Sequence, residues 1–170
     1  YNQSGFKIED GFLHLSKIGK TRITLHRPIS ESQIKQATVT KSKSGKWHCG
    51  ITCDVDMVTP KISWSKSVGI DVGIKNFTYD SDGYFTSNPL NLKKMLKPLV
   101  RIQREKSRRK KGSNNRLKTI LCLQRMHEKI ANRRKNFQHK LSKQYATNND
   151  VIFVEKLQKL YMVKNHRLAR

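Results

Sequence analysis

Apolar and polar residues alternate in short runs along the first third of the chain, and the spacing turns helical beyond residue 90. Phe6-Lys7-Ile8 and Phe12-Leu13-His14-Leu15 flank Asp10-Gly11, a pair suited to the left-handed backbone of a two-residue hairpin turn. Arg22-Ile23-Thr24-Leu25-His26 alternates with period two and predicts another strand. Ser44-Gly45 then divides 36–43 from 46–56. In the latter, Trp47, Cys49, Ile51, Cys53 and Val55 share one face, while His48, Gly50, Thr52, Asp54 and Asp56 share the other. Residues 1–58 therefore read as a β-rich module, a small barrel or sandwich, with 59–66 and its Pro60 as a connector.

Val68, Ile70 and Val72 are β-branched and bounded by glycines, which predicts a short buried strand carrying Asp71. Ser81-Asp82-Gly83 separates 76–80 from 84–87, completing a three-stranded meander. A first helical stripe runs through Leu92, Met95, Leu96, Leu99 and Ile102. A second runs through Leu117, Ile120, Leu123, Ile130, Phe137, Leu141 and Tyr145. Lys111-Gly112-Ser113-Asn114-Asn115 is the break between them, so 91–145 is expected to form a helical hairpin. Val151-Ile152-Phe153-Val154 reads as a second buried strand ending at Glu155, and 156–170 as a basic segment, helical near its end.

Charge changes the picture. Thirty-six Lys and Arg against twelve Asp and Glu give a formal charge of +24, which points to a polyanionic partner, nucleic acid before a membrane surface. There is no long apolar span and no signal-like segment. Within 91–145 the only acids are Glu105 and Glu128, so the i,i+4 pairs of an ordinary solvated helix are missing. Phosphate-binding candidates there are Arg101, Arg104, Arg108, Arg109, Lys110, Lys111, Arg116, Lys118, Arg125, Arg133, Arg134 and Lys140, with Lys75 beside the Asp71 strand. Cys49, Cys53 and Cys122 form no Cys-x-x-Cys pair, so no zinc site or disulfide framework is expected. The chain begins with Tyr1 and reads as a fragment or an excerpted domain.

A carboxylate inside a buried apolar strand needs a compensating partner, and a divalent cation is a common one. On its own residues Asp71 reads equally as a metal ligand or a turn aspartate. Glu155 occupies the corresponding place on the second strand, and the long helical excursion between them is the connection that parallel neighbours require. As neighbours they would emerge on one sheet edge, able to hold Mg²⁺ or Mn²⁺ for phosphodiester cleavage. Asp80, Asp82 and Asp150 rank below them, since turns and strand starts attract aspartate.

Residues 68–77, Val-Gly-Ile-Asp-Val-Gly-Ile-Lys-Asn-Phe, resemble the first RuvC-type motif of the insertion-sequence OrfB (TnpB) family. The segment 117–142, especially 127–134, is similar to that family's basic helical segment, and 151–155 to its second RuvC motif. The resemblance covers nearly the whole chain. It implies an α+β architecture, a wedge-like β-barrel module followed by a partial RNase H-like (RuvC) core with an inserted basic hairpin. It also implies a transposon-encoded RNA-guided DNA endonuclease related to type V CRISPR effectors. Asp71 and Glu155 would be its first two catalytic acids, Mg²⁺ or Mn²⁺ its cofactor, and guide RNA and target DNA its partners in a prokaryotic, nucleoid-associated cytoplasmic setting. Lys156-Leu157-Gln158 stands where the family has Asp-Leu-Asn, and the family's third aspartate and Cys₄ zinc ribbon lie further on than Arg170. A catalytically inactive nucleic-acid-binding remnant is the first alternative. A ribosomal-type RNA-binding protein is the second, disfavoured by the paired acidic motifs.

Overall fold

A computed structural model of the chain describes residues 1, 5–29, 34–55 and 65–156. The chain divides into two compact units, Tyr1–Thr59 and Pro60–Arg170.

In the first unit, Asp10 and Gly11 both take positive φ, 51° and 75°, and fold β1 (Phe6–Glu9) back on β2 (Phe12–Leu15) with Glu9 opposite Phe12. β3 (Gly19–Arg22) follows a second reversal and pairs with β2 from Leu15↔Gly19 to Phe12↔Arg22. The strand expected at 22–26 is therefore displaced toward the N-terminus. β2 has only four residues, so the chain beyond Arg22 runs out of partner after Ile23 N–H donates to Gly11 O at 2.9 Å. β3 itself is exposed throughout and carries no apolar alternation to mark it.

β4 (Ile34–Lys41) and β5 (Trp47–Cys53) form a separate antiparallel ladder around the Gly45 turn. Ala37 is fully buried, and Cys49, Ile51 and Cys53 are half-buried on the same face, as the alternation predicts. Trp47 departs from that expectation. It is 65% exposed at the strand end, where Lys41 Nζ sits 5.2 Å from the ring centroid. Burial pushes the Cys49 thiol up, opposed by the amino terminus, which suits a packing cysteine rather than a ligand. Tyr1 and Ala37 exchange two backbone bonds of 3.0 Å each. Among the described residues the two sheets share no ladder and no closed barrel forms, unlike the expected barrel module.

The second unit holds a four-stranded sheet. β6 (Ser67–Asp71), β7 (Asn76–Asp80) and β8 (Phe85–Ser87) form the meander, and β9 (Val151–Val154) joins β6 in parallel, giving the order β8-β7-β6-β9. The crossover is made by α1 (Asn91–Arg108) and α2 (Asn114–Asn148). Gly112, with φ 81°, turns the chain between them, and Ser113 Oγ caps α2 by accepting from Arg116 N–H at 3.2 Å. α2 has 35 residues against 18 in α1, so its second half runs past α1 and onto the sheet. There Phe137 meets Phe77 edge-on at 4.9 Å. Among the described residues of the unit, the buried apolar ones are Val68, Leu99 and Ile130.

Two strands expected to be buried are not. In β6 only Val68 is buried, and in β9 Phe153 and Val154 are each 60% exposed. Among the described residues β9 is an edge strand, paired on one side only. The connector at 56–64 and the segment 157–170 lie outside the described residues. Among the described residues no helix is long and apolar enough to cross a membrane.

Candidate nucleic-acid and metal site

The pairing of β6 with β9 decides what Asp71 and Glu155 can do together. Ser67 lies beside Val151 and Ile70 beside Val154, so continuing the register by one residue sets Glu155 beside Asp71. Neighbouring strands lie about 4.8 Å apart, and residues paired in a parallel ladder project from the same face. Both acids line one open groove of about 730 Å³ with Gly69, Ile70, Tyr79, Asp80, Ser81, Gly83, Phe153 and Val154. Both are exposed. The burial argument for a compensating cation at Asp71 therefore lapses, and adjacency takes its place.

Asp150 holds this register. Its Oδ2 accepts from Ser65 Oγ at 2.7 Å and from Lys66 N–H at 3.0 Å, while its own N–H donates to Lys66 O at 2.8 Å. The start of β9 is thus fastened to the start of β6. A slip of one residue there would move Glu155 to the opposite face.

Asp80 also lines the groove, but its carboxylate is occupied on the other side of the sheet. Oδ1 accepts from Asp82 N–H (3.2 Å) and Tyr84 N–H (2.8 Å), closing the β7–β8 turn, and Oδ2 accepts from the Tyr145 hydroxyl at 3.0 Å. Thr78 Oγ1 lies 3.5 Å from the same phenol oxygen. Asp80 and Asp150 are therefore structural, as turn and strand-start aspartates should be. Gly73 has a structural reason too: a Cβ there would meet the Asn76 carbonyl at 2.9 Å, so its bareness serves the β6–β7 turn. Among the described residues no group of three or more His, Cys, Asp and Glu side chains comes together.

Tyr145 was legible only as the last apolar position of the α2 stripe. A tyrosine where leucine would fill the stripe is the signal of its hydrogen bonds. Burial pushes its phenol above the ordinary value; the Thr78 bond opposes this, and the Asp80 bond and charge add to it. A phenol raised in the fold stabilises it fully below the unfolded value near pH 10, and that contribution is lost as pH climbs through the folded value. Tyr145→Phe is expected to cost about 1–2 kcal/mol at neutral pH, the worth of a hydrogen bond to a charged group at a partly exposed site. Urea denaturation from neutral to alkaline pH should show wild type converging on the variant at the alkaline end. Parallel curves would rule out the Tyr145–Asp80 bond as the source.

The basic candidates separate into two kinds. Arg116 is half-buried, and one guanidinium nitrogen donates to Lys106 O (2.7 Å) and Arg109 O (3.0 Å), capping the open carbonyls of α1. Arg109 donates to Asn115 O at 2.7 Å and pairs with Glu105, an i,i+4 ion pair where the scarcity of acids had led none to be expected. These two hold the hairpin corner. Arg101, Arg104 and Arg108 are exposed and line, with Lys97, Leu96 and Val100, a groove along α1. Lys75, Lys110, Lys111, Lys118, Arg125, Arg133, Arg134 and Lys140 are exposed as well, with Arg133 Nη1 3.5 Å from Met95 Sδ.

The arrangement defines a basic α+β protein with two neighbouring acids at one sheet edge and a cationic helical hairpin inserted between their strands. A family profile described as "Probable transposase", OrfB_IS605, matches residues 50–166, and the chain belongs to this family. It is 34% identical over 172 residues to a "Putative RNA-guided DNA endonuclease" of Streptomyces pristinaespiralis, covering 100% of this chain and 42% of that protein. It is 32% identical over 157 residues to "Putative RNA-guided DNA endonuclease InsQ" of Escherichia coli (strain K12), covering 92% of this chain and 39% of that protein. The chain thus spans about two fifths of the length of these curated relatives.

Proposed function

We propose that this chain contributes a RuvC-type half-site to an RNA-guided DNA endonuclease of the TnpB kind, with Asp71 and Glu155 as its first two catalytic acids. The observation that carries the reading is the parallel pairing of Ile70 with Val154, which, carried one residue further, brings Glu155 beside Asp71, together with the one groove that both acids line. The strand order β8-β7-β6-β9, with a helical crossover before β9, is consistent with an RNase H-like core. Guide RNA and DNA are the partners, drawn from the relatives' names and from the +24 charge.

The donor set fits a hydrated divalent cation. Mg²⁺ keeps several waters and takes one or two carboxylates, and two exposed, adjacent acids in an open groove offer that. Asp71 and Glu155 would hold it. When bound, such a cation supplies charge stabilisation and an activated water for phosphodiester hydrolysis. The chain's own residues do the positioning: Asp150 fixes the register, Asp80 and Tyr145 tie the β7–β8 hairpin to α2, and the hairpin's cations hold phosphates through the backbone without reading sequence.

The test is Mg²⁺-dependent cleavage of a labelled DNA strand. This 170-residue chain, a polypeptide of the relatives' full length, and Asp71→Ala in each would be compared. Among the described residues no third acid joins the two, which places the reacting groups loosely, and a misplacement near 1 Å costs about 100-fold. The short chain is expected to bind nucleic acid and cut at least that much more slowly than the long one. Cleavage by the long polypeptide that survives Asp71→Ala would refute the assignment. Absence of cleavage from both would favour a nucleic-acid-binding remnant.

A further inference from the structure

The register that joins the two acids also builds a row of rings beside them. Asp71 lies opposite Tyr79, and Tyr79 opposite Phe85, so one level of the sheet reads Phe85, Tyr79, Asp71 across three strands, and the β6–β9 register carried one residue past Val154 adds Glu155 to it. One step back along the strands, Gly69 lies beside Phe153, and by the two-residue alternation Phe153 shares a face with Glu155. α2 takes the opposite face, where Val68, Thr78 and Asp80 are buried and Tyr145 reaches Asp80. The rings on the acid face remain open: Tyr79 is 53% exposed, Phe85 60% and Phe153 60%.

We propose that Tyr79, Phe85 and Phe153 form a stacking platform for unpaired bases of a DNA strand, flanking Asp71 and Glu155 and laying the strand's backbone across them. The proposal rests on the endonuclease reading for the identity of the strand. Three observations favour this occupant. An apolar protein segment laid over this row would desolvate Asp71 and Glu155 without partners, at a cost of several kcal/mol. A strand keeps its phosphates and their counterions hydrated beside the acids while its bases use the rings. Second, the exposed large residues of this face are flat aromatics, and duplex DNA hides the base faces that aromatics stack on. Third, Lys75 and Lys156, both exposed, follow the two acids in sequence and supply positive charge for the backbone. Gly69 leaves the floor between Phe153 and Ser81 bare. A Cβ there would make only an ordinary 3.8 Å contact with Ser81, so internal packing does not require the glycine.

The experiment measures binding of fluorescein-labelled dT₂₀ and of a duplex of equal length to the whole chain. EDTA removes divalent ions and cleavage, and about 0.4 M salt weakens the phosphate contribution. Tyr79→Leu, Phe85→Leu and Phe153→Leu keep an apolar side chain but lose the flat face; Tyr79→Trp keeps it. Each leucine variant is expected to weaken dT₂₀ binding about tenfold, with duplex binding within about twofold of wild type and Tyr79→Trp at least as tight as wild type. Unchanged dT₂₀ affinity in the leucine variants would overturn the platform, as would an equal loss for duplex. So would ring dependence seen for rU₂₀ and not for dT₂₀. Because no cleavage is read, these outcomes are independent of the Asp71→Ala comparison, which bears on the endonuclease reading alone.

Discussion

Asp71→Asn and Glu155→Gln are each expected to weaken Mn²⁺ binding by more than about tenfold, measured by titration calorimetry on the intact chain. Both replacements keep the side chain's size and one oxygen while removing the negative charge, so the fold is spared and the ion's attraction is not. Loss of a residue that merely orients a ligand typically costs 10–100-fold in metal affinity, and loss of the ligand itself should exceed the lower figure. Asp82→Asn is the control, since Asp82 sits in the β7–β8 turn and does not line the groove. A double variant, Asp71→Asn with Glu155→Gln, should lose much less than the sum of the two single effects, because on the proposed assignment one ion would answer to both. Equal Mn²⁺ affinity across wild type and the Asp71 variant would remove the metal assignment, whatever the register.

The second large effect concerns α1. Reversing Arg101, Arg104 and Arg108 to glutamate is expected to weaken nucleic-acid binding strongly and alike across sequences. The salt slope should become shallower by up to about 0.9 for each duplex phosphate contact removed, hence up to about 2.7 for three. These three line one groove on an exposed helix face, so they can engage a backbone together. Arg109 and Arg116 belong outside the test. Their guanidinium groups are spent on the Glu105 carboxylate and on the Asn115, Lys106 and Arg109 carbonyls, and removing them would loosen the hairpin corner. A slope unchanged by the triple reversal would make this face a solvated one.

Local patterns in the chain were sufficient for most elements. Asp10-Gly11, Ser44-Gly45, Ser81-Asp82-Gly83 and Lys111–Asn115 each mark a reversal because left-handed backbone is cheap only for glycine and a few neighbours, and the structure turns at each. Apolar spacing of two or of 3.6 then distinguishes β5 from α1 and α2 without tertiary information. The motifs around Asp71 and Glu155 carried the family, which the profile over residues 50–166 shows.

Burial and pairing were beyond that reach, for a physical reason: both depend on which surfaces of the chain meet. Val68 and Phe153 have similar apolar character, yet one is buried and the other is 60% exposed. β3 has no pattern of its own and exists because β2 offers it a partner for four residues. Arg116 and Arg108 are alike as sequence, but the hairpin corner brings only one of them against the bare carbonyls of α1. The pairing of Ile70 with Val154 is a single choice among the registers two short apolar strands could adopt, and Asp150 with Ser65 and Lys66 makes it. The two acids were therefore readable from the chain, while their neighbourhood and the ring-lined face they share were decided by the tertiary register, since one residue of slip reverses every side chain on β9.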